Sequence, residues 1–194
     1  MGTQSQAKGI KQSKTSKAAK ATKASQTTAK ATEPALFTPI TLRGMTARNR
    51  VWLPPMDMYS AFARDGRPTD FHYQHYVSRA LGGFGLIIVE ATAVTPDGRI
   101  SPCDLGLWED AQIDAYRWIT EAVKQAGAVP AIQLNHAGRK GSIGCFSIGY
   151  DGQTVPVDKG GWPTVGPSDL AFGGLQAPRA LDVDDIHGIV HRFR

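Results

Sequence analysis

The run Leu86-Ile87-Ile88-Val89 is apolar at four consecutive positions, and no other feature constrains the fold of this chain as much. A strand with one solvated face alternates apolar and polar residues. A continuous apolar run suits a parallel strand covered on both faces. The flanking segments agree with that. Upstream, Thr69 is a good N-cap for the helical run FHYQHYVSRAL, and Gly82 and Gly83 are good helix-ending residues. Downstream, Ile113, Trp118, Ile119, Ala122 and Val123 recur at helical spacing over Asp110 to Ala126, and Gly127 ends the segment. Val129-Pro130-Ala131-Ile132-Gln133 then reads as another short strand.

The remaining elements extend the pattern. Phe37 to Arg50 carries short alternating apolar residues around Gly44, which predicts a small hairpin. Val51 to Pro55 is a brief strand that Pro54 and Pro55 must end or bulge. The stretch 134–181 is rich in Gly and Pro and too long for an ordinary connection, so it reads as a functional loop. A last helix begins near Asp182. Hairpin, strand, helix, strand, helix, strand, long loop and helix is the order of a parallel α/β fold, either a barrel or an open sheet. No Gly-rich phosphate fingerprint opens the first helix, and Gly82, Gly83 and Gly85 precede a strand instead, which weighs against a dinucleotide-binding open sheet.

Charge divides the chain in two. Residues 1–33 hold seven Lys and one Glu, with Ile10 as the one large aliphatic residue after Met1. Such a segment cannot bury enough apolar surface to offset its ordering entropy, so 1–35 is expected to be a disordered tail and 36–194 the folded unit. The tail has no apolar core for a secretory signal. It is basic and acid-poor like a transit peptide, but it lacks Arg and an amphipathic stripe, so a flexible, weakly polyanion-attracted tail is the reading adopted. Beyond it, 15 Lys plus Arg face 16 Asp plus Glu, a net −1, which does not suggest a nucleic-acid surface. Nothing approaches the roughly 20 apolar residues of a membrane span. Cys103 and Cys145 are too few for a disulfide framework and lack metal-ligand spacing, so a reducing, cytoplasmic setting is expected.

Barrel active sites gather at the C-terminal ends of strands. Here those ends read Pro55-Met56-Asp57-Met58-Tyr59, Glu90-Ala91-Thr92 and Gln133-Leu134-Asn135-His136. Pro55 and Met56 offer backbone contacts beside an apolar wall, and Ala91 is small enough for a ring to approach. Gln133 can donate and accept at once, as a ring edge with alternating carbonyl and N–H groups requires. The set suits a flat, partly polar aromatic cofactor.

These residues carry a family resemblance. Leu36-Phe37-Thr38-Pro39-Ile40, Asn49-Arg50-Val51, Pro55-Met56 with Met58-Tyr59-Ser60, Tyr76-Val77-Ser78-Arg79-Ala80, Gly85 through Ala91, Gln133-Leu134, His136-Ala137-Gly138-Arg139-Lys140, Pro167-Ser168 and Pro178-Arg179-Ala180-Leu181 are similar, in order and spacing, to Old Yellow Enzyme homologues, especially their short bacterial ene-reductase branch. The resemblance implies a (β/α)8 TIM barrel that holds FMN noncovalently, takes reducing equivalents from NADPH or NADH, and reduces an α,β-unsaturated carbonyl. It implies flavin contacts from Pro55, Met56, Asp57, Ala91 and Gln133, and a substrate-facing Tyr59 whose phenol donates to the carbonyl oxygen.

Two departures stand out. Position 57 is Asp where this branch usually has a Cys, and an ionised carboxylate there would repel the anionic reduced flavin unless burial keeps it protonated. The family's substrate-anchoring His pair, proton-donating Tyr and phosphate loops match no residue up to Arg194. Residues 36–194 therefore read as the N-terminal half of the barrel, about three strands. Alone, such a chain, with open strand edges and an uncovered core face, is expected to aggregate, oligomerise or remain partly unfolded, and to hold FMN weakly or not at all.

Plainer roles are weighed beside these. Tyr59 could be a packing tyrosine, Asp57 a cap for neighbouring backbone, and Arg139 and Lys140 a solvated loop pair. His72 and His75 lie three apart, but no third ligand completes a metal site, so packing is expected of them. Glu90 is expected to be structural and His136 to order a loop. The alternative for the whole chain is a non-catalytic interaction protein with a polyanion-binding tail.

Overall fold

The computed structural model describes residues 33–194, so nearly all of the expected tail lies outside the described residues. Ala35–Phe37 forms a single 3-10 turn that leads into the expected hairpin, β1 (Ile40–Leu42) and β2 (Met45–Ala47), paired antiparallel. The first parallel strand, β3 (Trp52–Leu53), is shorter than the apolar run because Pro54 and Pro55 have no N–H to donate. Helix α1 (Asp70–Leu81) follows, then β4 (Leu86–Ala93), the short β5 (Leu105–Gly106), α2 (Ile113–Gln125) and β6 (Val129–Asn135). Residues Asp110–Gln112, expected to open α2, instead make a separate 3-10 turn. Buried Gln112 accepts there from the Trp108 N–H at 2.8 Å and donates to the Asp65 carbonyl at 2.9 Å.

β4 is the centre of the sheet. It pairs in parallel with β3 through Trp52↔Leu86 and Leu53↔Ile87, and with β6 along its whole length. Past the end of β3, β5 takes the same edge at Thr92 and Ala93. The order β3, β4, β6 follows the chain, with a helix crossing between each successive pair. Where β4 passes Glu90 the register with β6 slips, from Val89↔Ile132 to Ala91↔Gln133. One extra residue on the central strand is a β-bulge, a device that re-aims side chains near strand ends.

Helices α1 and α2 bury Tyr76, Val77, Ala80, Tyr116, Ile119 and Val123 against Leu53, Ile87, Val89 and Leu105. Each such aliphatic side chain contributes roughly 1.5–3 kcal/mol when fully buried. On the other edge, β6 has no further strand among the described residues, and its Ile132 and Leu134 are exposed. The long stretch is not structureless. It carries bridges at Ile143↔Thr154 and Gly144↔Asp151 and a small parallel pair, β7 (Val165–Gly166) with β8 (Arg179–Ala180). Helix α3 (Val183–Arg192) starts where Asp182 accepts the Asp185 N–H at 2.8 Å, and it buries none of its residues.

Two residues whose importance composition does not reveal fix how the helices meet the sheet. The Arg48 guanidinium donates to the carbonyls of Ala80 (2.7 Å), Phe84 (3.0 Å) and Ala126 (2.9 Å), which ties the C-terminal ends of both helices to β2. A cation at a helix C-terminus is favourable through both hydrogen bonding and the helix dipole. Gly85 has no room for a side chain, because a Cβ would sit 2.6 Å from the Asn49 Oδ1. Replacing Arg48 by Ala is expected to lower unfolding stability by about 1–3 kcal/mol. Chemical denaturation of the purified chain reads this as an earlier midpoint with an unchanged slope.

Candidate functional site

At the end of β3 the chain turns through Pro54-Pro55-Met56 and closes on itself. Asp57 Oδ1 accepts the Tyr59 N–H at 3.1 Å, and the Ser60 hydroxyl donates to the Met58 carbonyl at 2.8 Å. This side-chain-to-backbone turn holds Tyr59 at φ +51°, a left-handed conformation costing a non-glycine residue on the order of 1 kcal/mol. The Ala61 N–H then bonds the Cys103 carbonyl at 2.9 Å, fastening the turn to the β4–β5 connection. Asp57 thus takes the backbone-capping role open to a carboxylate at a strand end.

Behind the turn lies a buried carboxylate. Glu90, the bulged residue of β4, is fully buried and receives the Met58 N–H on Oε1 at 2.9 Å and the Tyr76 hydroxyl on Oε2 at 2.5 Å. His72 Nδ1 accepts from the Thr69 N–H at 3.0 Å, which turns Nε2 toward Glu90 Oε1, 3.6 Å away. The pairing explains both residues in packing terms: His72 caps α1 and faces Glu90, and His75 packs on Tyr76 and Phe71. No group of metal-ligating side chains exists among the described residues.

The two neighbouring carboxyls have opposite fates. Burial resists ionisation of Glu90, but the His72 imidazole, the Tyr76 hydroxyl and the Met58 N–H outweigh it and hold the group below the usual carboxylate range. Asp57 has no such donor set, and its Oδ2 is buried without a hydrogen-bond partner among the described residues. Burial first, then the nearby Asp104 carboxylate, push Asp57 up to about 8. It is therefore mostly neutral at pH 7, which removes the charge that position 57 would otherwise present. Burial, with Asp57 next, also raises the Tyr59 phenol to about 12, so it keeps its proton as a donor.

On the other side of β4, the bulge sets Ala91 beside Gln133 of β6 in register. Ala91 is buried and small, whereas Gln133 and Met56 are exposed. Among the described residues neither the Gln133 carboxamide nor the Tyr59 hydroxyl has a hydrogen-bond partner. Ala91 and Gln133 lie inside their strands, which run on to Ala93 and Asn135, rather than at the strand ends expected from sequence. His136 Nδ1 accepts the Gly138 N–H at 3.2 Å and so orders the loop after β6. Arg139 and Lys140 are not simply solvated: the Lys140 ammonium lies 4.1 Å from the Phe172 ring centre, and Arg139 also covers that ring.

Sequence reasoning missed the support of the β4–β5 connection. Asp104 accepts from the Ile100 and Ser101 N–H groups and from the Ser101 hydroxyl, and Arg99 lies between the Trp108 and Trp162 rings. The Ser-x-x-Asp spacing was a usable signal for the first. The second joins residues too far apart in sequence to be read as a pair.

Consecutive parallel strands crossed by helices, with unpaired polar groups toward one end of the sheet, fit the N-terminal portion of a parallel α/β barrel. The chain belongs to the NADH:flavin oxidoreductase / NADH oxidase family, whose model matches residues 35–194. It is 55% identical over 124 residues to an NADPH dehydrogenase of Bacillus licheniformis, a match covering 64% of this chain and 36% of that protein. Its fold superposes on the Old Yellow Enzyme homologue of Zymomonas mobilis with a TM-score of 0.66 and 33% identity, covering 82% of this chain and 43% of the other. Morphinone reductase in complex with tetrahydroNAD matches with a TM-score of 0.66 and 32% identity, over 83% of this chain and 44% of that one. The chain thus spans less than half the length of these relatives. No helix among the described residues is long and apolar enough to cross a membrane.

Asp57 makes stability depend on pH in a defined direction. Its pKa rises from 3.8 to about 8 on folding, so the folded state binds the proton more tightly and loses stability as pH climbs between those values. Asp57→Asn keeps an oxygen for the Tyr59 N–H and removes the titration. Thermal melts should show the variant gaining on the parent from pH 4 to 8 and exceeding it at pH 8.5 by at least about 1.4 kcal/mol, the equivalent of one pKa unit. A difference that stays constant with pH would show that folding does not raise the Asp57 pKa.

Proposed function

We propose that residues 33–194 form one wall of the site of an FMN-dependent oxidoreductase that uses NADPH or NADH to reduce an activated alkene, with an α,β-unsaturated carbonyl as substrate. The observation that carries this reading is the in-register placement of small, buried Ala91 beside the unpartnered Gln133 carboxamide, next to a turn that presents an unpartnered Tyr59 phenol. The residues fit the cofactor. Pro55 and Met56 offer apolar side chains at the turn, Ala91 adds no bulk on its strand, and Gln133 matches a ring edge that needs a donor and an acceptor together. Bound FMN supplies the hydride-transfer chemistry between the nicotinamide and the alkene.

The chain's own contribution is orientation and electrostatics. The Asx turn of Asp57 holds the Tyr59 backbone, and the raised phenol pKa keeps a proton available for the substrate carbonyl. Neutral Asp57 completes the turn without placing a negative charge beside an electron-rich cofactor. The family membership and the NADPH dehydrogenase relative support the choice of reductant.

A chimera tests the reading directly: residues 33–194 fused to the remaining part of the Bacillus licheniformis relative. It is expected to purify with FMN and to bleach with NADPH. Tyr59→Phe in that chimera should lower kcat/KM for an enone by roughly 10- to 100-fold, the cost of one lost carbonyl donor, while flavin reduction by NADPH changes little. Gln133→Leu should weaken FMN binding by about tenfold. A folded, cooperative chimera that holds no flavin would overturn the proposal.

A further inference from the structure

Cys103 and Cys145 lie 42 positions apart in two different loops, yet their sulfurs approach to 2.8 Å. Both residues are buried, at 1% and 2% exposure, and both are free thiols. The Ser147 hydroxyl lies 3.2 Å from the Cys103 sulfur and 3.1 Å from the Cys145 sulfur, so one polar group serves the pair. Free thiols gain little from such a pairing, because S–H is a weak donor. A bonded pair needs its sulfurs at about 2.05 Å, a shift of under an ångström from the observed separation.

We infer that Cys103 and Cys145 form a dithiol site that closes to an intramolecular disulfide by exchange with a small organic disulfide. In the exchange one cysteine sulfur attacks the small disulfide, and the first small thiol leaves. The second cysteine sulfur then attacks the mixed disulfide, and the second small thiol leaves. The protein gives up two thiol protons and two electrons, and the S–S bond of the small disulfide is replaced by two S–H groups.

The position gives the bond a consequence. Cys103 holds the 59–61 turn through its carbonyl, and the residue after Cys145, Phe146, packs edge-on against the Tyr59 ring at 6.1 Å between centres. Closing the disulfide therefore joins the loop that carries Phe146 to the turn that carries Tyr59. Phe146 is 71% exposed, so in the dithiol form only the edge contact, the Ser147 contacts and nearby backbone bonds hold this rim. Access for the oxidant comes from local opening of residues 146–150, most of them exposed. Burial raises the Cys103 thiol to about 11, which makes exchange slow at pH 7 and faster as pH rises.

The inference is independent of the flavin reading, and its test needs no cofactor. The 194-residue chain is equilibrated in glutathione buffers from fully reduced to mainly oxidised, then denatured, alkylated and weighed intact. Oxidised buffer is expected to give a monomer with no alkylated cysteine and no glutathione adduct, and peptide mapping should recover one cross-linked Cys103–Cys145 pair. Amide exchange of residues 142–155 should slow by at least about tenfold in that form and stay fast in Cys145→Ser. Two alkylated cysteines after oxidation, glutathione adducts on separate cysteines, or links between chains alone would each overturn it, as would closure without slower exchange.

Discussion

A single ionised carboxylate inside the sheet organises the site end of this molecule. Glu90 sits at the bulge of the central strand, where no water reaches it, and an uncompensated charge in that position would cost several kcal/mol. Three groups from two elements supply the compensation: the Met58 N–H from the turn after β3, and the Tyr76 hydroxyl and His72 imidazole from α1. The charge therefore dictates where the turn and the helix must sit relative to β4. The bulge that accommodates it also brings Ala91 opposite Gln133. Placement of the polar groups follows from satisfying one buried anion.

The neighbouring Asp57 is held neutral first by burial and then by the nearby Asp104 carboxylate, and it lacks the donor set that Glu90 has. Two carboxyls in one buried region do not both ionise unless each has its own donors. Asp57 keeps one backbone N–H, that of Tyr59, and is left with a buried oxygen lacking a partner and with Asp104 nearby. The result is an Asp that works as a shaping group for a left-handed tyrosine and not as a fixed charge. An uncharged side chain is also what the proposed flavin site calls for at this position.

The parts legible in the sequence were those set by local pattern. The apolar run at Leu86–Val89, the Thr69 cap and the glycines after α1 placed the central strand and its helix closely. The extent of β4 was underestimated because Glu90 and Thr92 break the apolar run, although their polar groups are satisfied within the fold. Tyr59, Asp57, Ala91 and Gln133 read as strand-end residues and Asp57 as a candidate cap for neighbouring backbone, yet no sequence pattern marks the left-handed Tyr59 or the bulge beside Ala91. The Arg48 ties and the Cys103–Cys145 approach join residues dozens of positions apart, and neither periodicity nor composition carries such contacts. The helix over α3 reads from the sequence, but no partner for its apolar residues does, and the helix buries none of its residues.

The measurement that bears most directly on the role of Glu90 is the stability of Glu90→Gln as a function of pH, read by denaturant unfolding of the purified chain. A carboxylate held below its usual pKa stabilises the fold above about pH 4.5, and that stability is lost as pH falls through the depressed folded value. The variant should therefore be less stable than the parent at pH 7 by about 2–4 kcal/mol, the range for breaking a buried charged network, and the gap should shrink steadily below pH 4.5. Equal stability at pH 7, or a deficit that does not change with pH, would contradict the view that the ionised Glu90 holds the turn and the helix in place.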